Sequence, residues 1–235
     1  MRNVPSWALV SSGCAPAALI AGWTLAALPE GPAYDPLTQT ISVLGAYGTP
    51  GYWVMTGAFL ALGVCHLLTA WGLRTVPTAG RLALGGGGLA AFLVVLLPAP
   101  ASGGSLSHGT AAAIGFTLLT AWPLLVARPG AASGTGAGAR PTPVPWALRP
   151  VPAIAVSVAM TAGGIWFMVA MQRGGAAGLA ERLVTTAQSA WPLVVVVSCR
   201  RSAARAQGDG TPDRSQGGGP PDRSDGAGER PARRS

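Results

Sequence analysis

The sequence predicts an all-α membrane protein: a bundle of six transmembrane helices with a short amphipathic interfacial helix between helices one and two. Three observations carry that prediction. Only 10% of the 235 residues are charged while 49% are hydrophobic, against about 25% charged in soluble domains. Apolar runs of about 20 residues recur six times, and each can cross a hydrocarbon core of roughly 30 Å as a helix. None of the runs alternates as a membrane barrel strand does, and backbone groups in lipid must be paired within the segment.

The first run covers about residues 7–28. Arg2 precedes it, as in a secretory leader, but the run is longer than a leader's apolar core. Leu28-Pro29 is also a poor cleavage context, so the helix is expected to be retained. The second run covers about 51–73, the third 79–97, the fourth 106–127, the fifth 151–171 and the sixth 179–199. Together they make a six-helix domain over residues 1–200. The sequence Ala121-Trp122-Pro123-Leu124 in helix four recurs as Ala190-Trp191-Pro192-Leu193 in helix six. Glycine clusters, Gly85–Gly88 and Gly163-Gly164, mark helices three and five and suit close packing through small residues. The hairpin three–four therefore resembles the hairpin five–six. Pro123 and Pro192 are expected to kink their helices.

The formal charge is +8, and all sixteen basic residues are Arg. They sit in loops and in the tail rather than on a helix interleaved with aromatics, so nucleic acid is not an expected partner. With six crossings, one side holds Arg2, Arg74, Arg81, Arg128, Arg140, Arg149, Arg200, Arg201 and Arg205, and the other only Arg173 and Arg182. The positive-inside rule then puts both termini in the cytoplasm of a cell whose plasma membrane the chain spans. Residues 128–149 read as a flexible cytoplasmic loop. Residues 201–235, rich in Gly, Pro, Arg and Asp, read as a disordered cytoplasmic tail with too little apolar surface to fold. The three cysteines have neither metal spacing nor a disulfide framework.

The stretch Tyr34–Trp53 is the one long break in apolarity before Arg74. Asp35-Pro36 reads as an N-cap with a first-turn proline. Leu37, Ile41 and Leu44 follow on one face, and Gly45, Gly48 and Pro50-Gly51 stop the helix. The expectation is an amphipathic helix from Pro36 to Gly45 at the outer surface.

The acidic residues before the tail are Glu30, Asp35 and Glu181, all on the outer side. His108 opens helix four and Glu181-Arg182 opens helix six. Asp35, Gln39, Ser42, His108, Glu181 and Arg182 could therefore assemble at one outer mouth, and polar groups at membrane depth point to a site. Each also has a plain structural use as a helix cap, dipole partner or interface anchor. No phosphate loop, zinc-protease motif or serine-hydrolase elbow is present, so no catalytic residue, cofactor or metal is assigned.

Tyr34-Asp35-Pro36-Leu37-Thr38-Gln39-Thr40-Ile41-Ser42, followed by Gly51-Tyr52-Trp53-Val54-Met55-Thr56, resembles domain-of-unknown-function family 998 (DUF998). So do His108-Gly109 before an Ala-rich helix and Glu181-Arg182 before a Trp-Pro helix. The resemblance spans about residues 7–200. It implies a bacterial six-helix integral membrane protein and no particular activity.

The leading expectation is a membrane protein that binds a lipid, a small amphiphile or a membrane partner at an outer-facing site. An intramembrane lipid-modifying enzyme using Asp35, His108 and Glu181 is one alternative. A small transporter is another, although the spans carry almost no ionisable residue at mid-depth.

Overall fold

A computed structural model describes residues 4–100, 103–128 and 144–208. The described residues form helices and no strands. Seven α-helices follow in order: α1 (Ser6–Ala27), α2 (Ile41–Leu44), α3 (Tyr52–Gly72), α4 (Thr78–Leu96), α5 (Leu106–Val126), α6 (Pro150–Arg173) and α7 (Ala177–Gly208). Predicted helices two to six are thus α3 to α7. Most of the predicted flexible loop, residues 129–143, and the tail from 209 lie outside the described residues.

The boundaries follow local chemistry. Ser105 caps α5 by accepting the His108 N–H, which satisfies one orphan donor of the first turn. Pro150 starts α6 with its φ already helical. Gly174 ends α6 in the left-handed conformation, as glycine does at a helix C-terminus.

The six long helices close a ring. α1 packs on α3, α3 on α4, α4 on α5, α5 on α6, α6 on α7, and α7 returns to α1. The connections of α3 to α4, α4 to α5 and α6 to α7 are short and keep those neighbours adjacent, as in other helix bundles. Side chains pointing out of the ring are apolar, for example Leu82, Leu89, Val151, Val158 and Ile165. Such a surface suits lipid rather than water. Inside, polar side chains join helices. Ser11 of α1 meets Thr69 of α3 at 2.9 Å, and Ser157 of α6 donates to the Thr120 carbonyl of α5 at 2.9 Å.

The glycine cluster of α4 does pack closely. A Cβ on Gly88 would lie 2.8 Å from the Gly63 carbonyl oxygen of α3, and one on Gly63 the same distance from the Gly88 oxygen. Only hydrogen fits at either position, which lets the two backbones touch.

Five helical stretches are long and apolar enough to cross a membrane: Ser6–Glu30, Tyr52–Gly72, Thr78–Leu96, Leu106–Val126 and Pro150–Arg173. α7 is long enough at 32 residues but is more polar, with Glu181, Arg182, Gln188, Arg200 and Arg201 along it. It continues to Gly208 rather than stopping near Cys199.

The predicted Pro36–Gly45 helix is not continuous. Residues 35–39 form one closed turn, and α2 is a single turn from Ile41 to Leu44. The cause is local. The Asp35 carboxylate accepts from the Leu37 N–H and the Thr38 hydroxyl, a short-range alternative to helix that Asp readily adopts. Leu37 is exposed while Ile41 and Leu44 are buried, so the three do not share one face.

Candidate functional site

The 34–45 segment is strapped across one end of the ring by the first turns of α7. The Leu179 N–H donates to the Leu37 carbonyl at 3.0 Å. One terminal nitrogen of Arg182 donates to the carbonyls of Pro36 (2.8 Å), Gln39 (3.0 Å) and Gly178 (2.9 Å). The other reaches the Tyr34 hydroxyl. The guanidinium also lies over the Trp23 ring, 5.8 Å from its centroid, within cation–π range. Burial pushes the Tyr34 hydroxyl above its ordinary value of 10, while Arg182 acts in the opposite direction. Gly178 permits this strap, since a Cβ there would lie 2.2 Å from the Gln39 oxygen and 2.5 Å from the Pro36 oxygen.

Glu181 completes the fastening. It is buried, and its carboxylate accepts the Ile41 N–H at 2.5 Å. Its other oxygen lies 3.5 Å from the Ser42 hydroxyl. Ser42 in turn lies 3.1 Å from His108 Nε2. His108 Nδ1 lies 2.8 Å from the Leu97 carbonyl oxygen. A carbonyl only accepts, so Nδ1 carries the proton; in the neutral ring Nε2 accepts from Ser42 when the hydroxyl proton points to it rather than to Glu181.

The six sequence candidates therefore divide. Ser42 lies between His108 and Glu181, within 3.1 Å of the first and 3.5 Å of the second, and its one hydroxyl proton serves one of them at a time. Arg182 sits beside this group and holds the strap. Asp35 and Gln39 serve the turn: the Gln39 side-chain oxygen accepts the Asp35 N–H at 3.2 Å. Asp35 is exposed, and its hydrogen bonds, that from the Leu37 N–H foremost, hold its carboxyl below the ordinary 3.8.

Below Ser42, His108 and Glu181 lies a cleft with a cavity volume of about 80 Å³. Ile41, Ser42, His108 and Glu181 line one end. The walls include Phe59 and Leu62 of α3 and the small residues Gly87, Ala90 and Ala91 of α4 and Ala111, Ala112 and Gly115 of α5. Those small side chains leave the space unfilled. The cleft reaches His66, Gln188 and Ser189. From Glu181 to Gln188 is about 10 Å along α7 at about 1.5 Å per residue.

Sequence reasoning missed the inner end. His66 is fully buried in α3, and neither ring nitrogen has a hydrogen-bond partner. Gln188 donates to the Phe116 carbonyl (3.1 Å) and the Thr120 hydroxyl (3.0 Å) of α5. The signal was present, since a His and a Gln each interrupt an apolar run. Tyr34 was missed as a partner of Arg182, because nothing local reveals a contact between residues so far apart in sequence, and Gly178 was missed because the close carbonyls of Pro36 and Gln39 are what demand a glycine there. Among the described residues, no three His, Cys, Asp or Glu side chains are grouped to hold a metal ion.

Residues 14–198 match the family described as "Protein of unknown function (DUF998)". The chain belongs to the DUF998 family. The matched range contains the strap, the His108–Ser42–Glu181 group and the cleft of this DUF998 protein. No curated protein and no solved structure matches it.

Proposed function

We propose that this DUF998 protein crosses a bacterial plasma membrane six times, with both termini in the cytoplasm, and binds a lipid or small amphiphile in the cleft. α7 is the sixth crossing, and the 34–45 strap is the interfacial rim on the outer side. The arginine distribution supports the orientation, because among the described residues Arg182 and Arg173 are the only arginines at the strap end. The carrying observation is the cleft itself. It joins a polar end, formed by Ser42, His108 and Glu181, to an apolar interior walled by small side chains. Ligand sites have that composition: mostly apolar lining with a few convergent polar groups. A polar head would sit at the strap and an apolar chain would run toward Leu62 and Leu119.

The test is native purification followed by mass spectrometry of retained molecules, on the wild type and on Ala112→Phe, which puts a ring into the cleft. A discrete amphiphile retained by the wild type and lost from a folded Ala112→Phe supports the reading. Equal retention of bulk lipid by both proteins overturns it.

A further inference from the structure

Ser42 stands where a nucleophile would stand, and its neighbours have the matching roles. His108 Nε2 is 3.1 Å from the Ser42 hydroxyl oxygen, within reach for a general base. The Leu97 carbonyl, 2.8 Å from Nδ1, fixes the tautomer in which Nε2 can take a proton. Glu181 lies 3.5 Å from the Ser42 hydroxyl on its far side, a longer contact than that to Nε2, so the single Ser42 proton can pass to His108. A nucleophile, a base and a group that orients the base are the generalised elements of an activated serine. Both Ser42 and His108 line the cleft, so an apolar acyl chain lying in it would present its ester at the hydroxyl. The missing serine-hydrolase elbow does not count against this, because such constellations are recognised by geometry and roles rather than by sequence position.

We propose that Ser42 and His108 are the catalytic residues of an acyl-ester hydrolase acting on a lipid-like ester, which rests on the amphiphile reading of the cleft. The Ser42 oxygen attacks the ester carbonyl carbon, and its proton passes to His108 Nε2. The bond from acyl carbon to alkoxy oxygen breaks, and the leaving alkoxide takes the proton from Nε2 to depart as the alcohol. Water then attacks the acyl carbon of the Ser42 ester. One of its protons goes to Nε2 and on to the Ser42 oxygen as the acyl–Ser42 bond breaks, releasing the carboxylic acid. No electrons are exchanged with any other group.

The test uses the full chain in mild detergent and an alkyl fluorophosphonate probe. That probe forms an Oγ–P bond with an activated serine and expels fluoride. The expected result is labelling that maps to Ser42 by peptide mass spectrometry. Ser42→Ala loses it, and His108→Gln slows it about 100-fold, the scale of general-base assistance. Hydrolysis of 4-nitrophenyl decanoate should fall in parallel. Retained amphiphile, measured on the same variants, separates the two ideas. If Ser42→Ala and His108→Gln still retain amphiphile but wild-type Ser42 is never labelled, the hydrolase is overturned and the binding reading stands. If Ser42 is labelled at equal rates in wild type and folded His108→Gln, the base assignment is overturned. Labelling of Ser42 in a wild type that retains no amphiphile would instead remove the binding reading.

Discussion

Replacing Glu181 with alanine should release the strap without unfolding the ring. In the wild type the carboxylate accepts the Ile41 N–H at 2.5 Å, and the residue is 6% exposed. A hydrogen bond to a charged acceptor contributes about 1.5–3 kcal/mol, and removing the acceptor leaves a buried N–H unsatisfied. If that energy falls mainly on local opening of residues 36–45, exchange there should accelerate roughly 10- to 150-fold, at about 1.4 kcal/mol per tenfold. The measurement is amide hydrogen exchange by mass spectrometry in lipid nanodiscs. Peptides from α6 serve as the internal reference, since α6 does not touch the strap through this contact. Glu181→Gln keeps an acceptor oxygen and should fall between wild type and alanine. Unchanged exchange over 36–45 in Glu181→Ala would refute the fastening role. Equal acceleration in α6 would also refute it, because the effect would then be global.

Three further outcomes follow from the same contacts. Gly88→Ala forces a Cβ to within 2.8 Å of the Gly63 carbonyl, an overpacking that costs about 1–3 kcal/mol. The apparent Tm should drop, whereas Gly57→Ala, with nothing within 4 Å of its new Cβ, should hold or raise it. Asp35 has its folded value depressed below 3.8, so its contribution is complete above 3.8 and fades as pH falls through the lower folded value. The Tm gap between wild type and Asp35→Asn should therefore be flat above pH 3.8 and close below it. For orientation, Tyr47→Cys places a thiol at an exposed position of the strap end. A membrane-impermeant maleimide should label it in intact cells, and protection until lysis would reverse the topology.

The helical runs were legible because each is a compositional feature: a run of apolar residues punctuated by Gly, Pro or Arg. α7 shows where that reading thins. Its first turns are polar because they fasten the strap, so its apolarity is diluted by tertiary partners. The 36–45 segment failed as a continuous helix because Asp35 bonds its own following backbone, and a 3.6-residue pattern does not reveal that competition. Ser42, His108 and Glu181 could be named in advance as polar residues on one side. Their convergence depended on the ring closing α7 against α1, whereas Asp35 and Gln39 went to the turn through hydrogen bonds within it. His66 was overlooked for a related reason. One polar residue in an apolar run carries little weight until the run is seen to face a cleft.

α7 fastens the strap at one end and binds the N-terminal segment at the other, where Arg200 donates to the Val4 carbonyl at 3.0 Å. Its 32 residues make a rod of about 48 Å at about 1.5 Å per residue, well beyond a hydrocarbon core of roughly 30 Å. Such a rod is a lever arm. A tilt of a few degrees at Glu181 would displace Arg200, nineteen residues further along, sideways at the other end of the helix. The same helix thereby ties the strap to the N-terminal segment through contacts at its two ends.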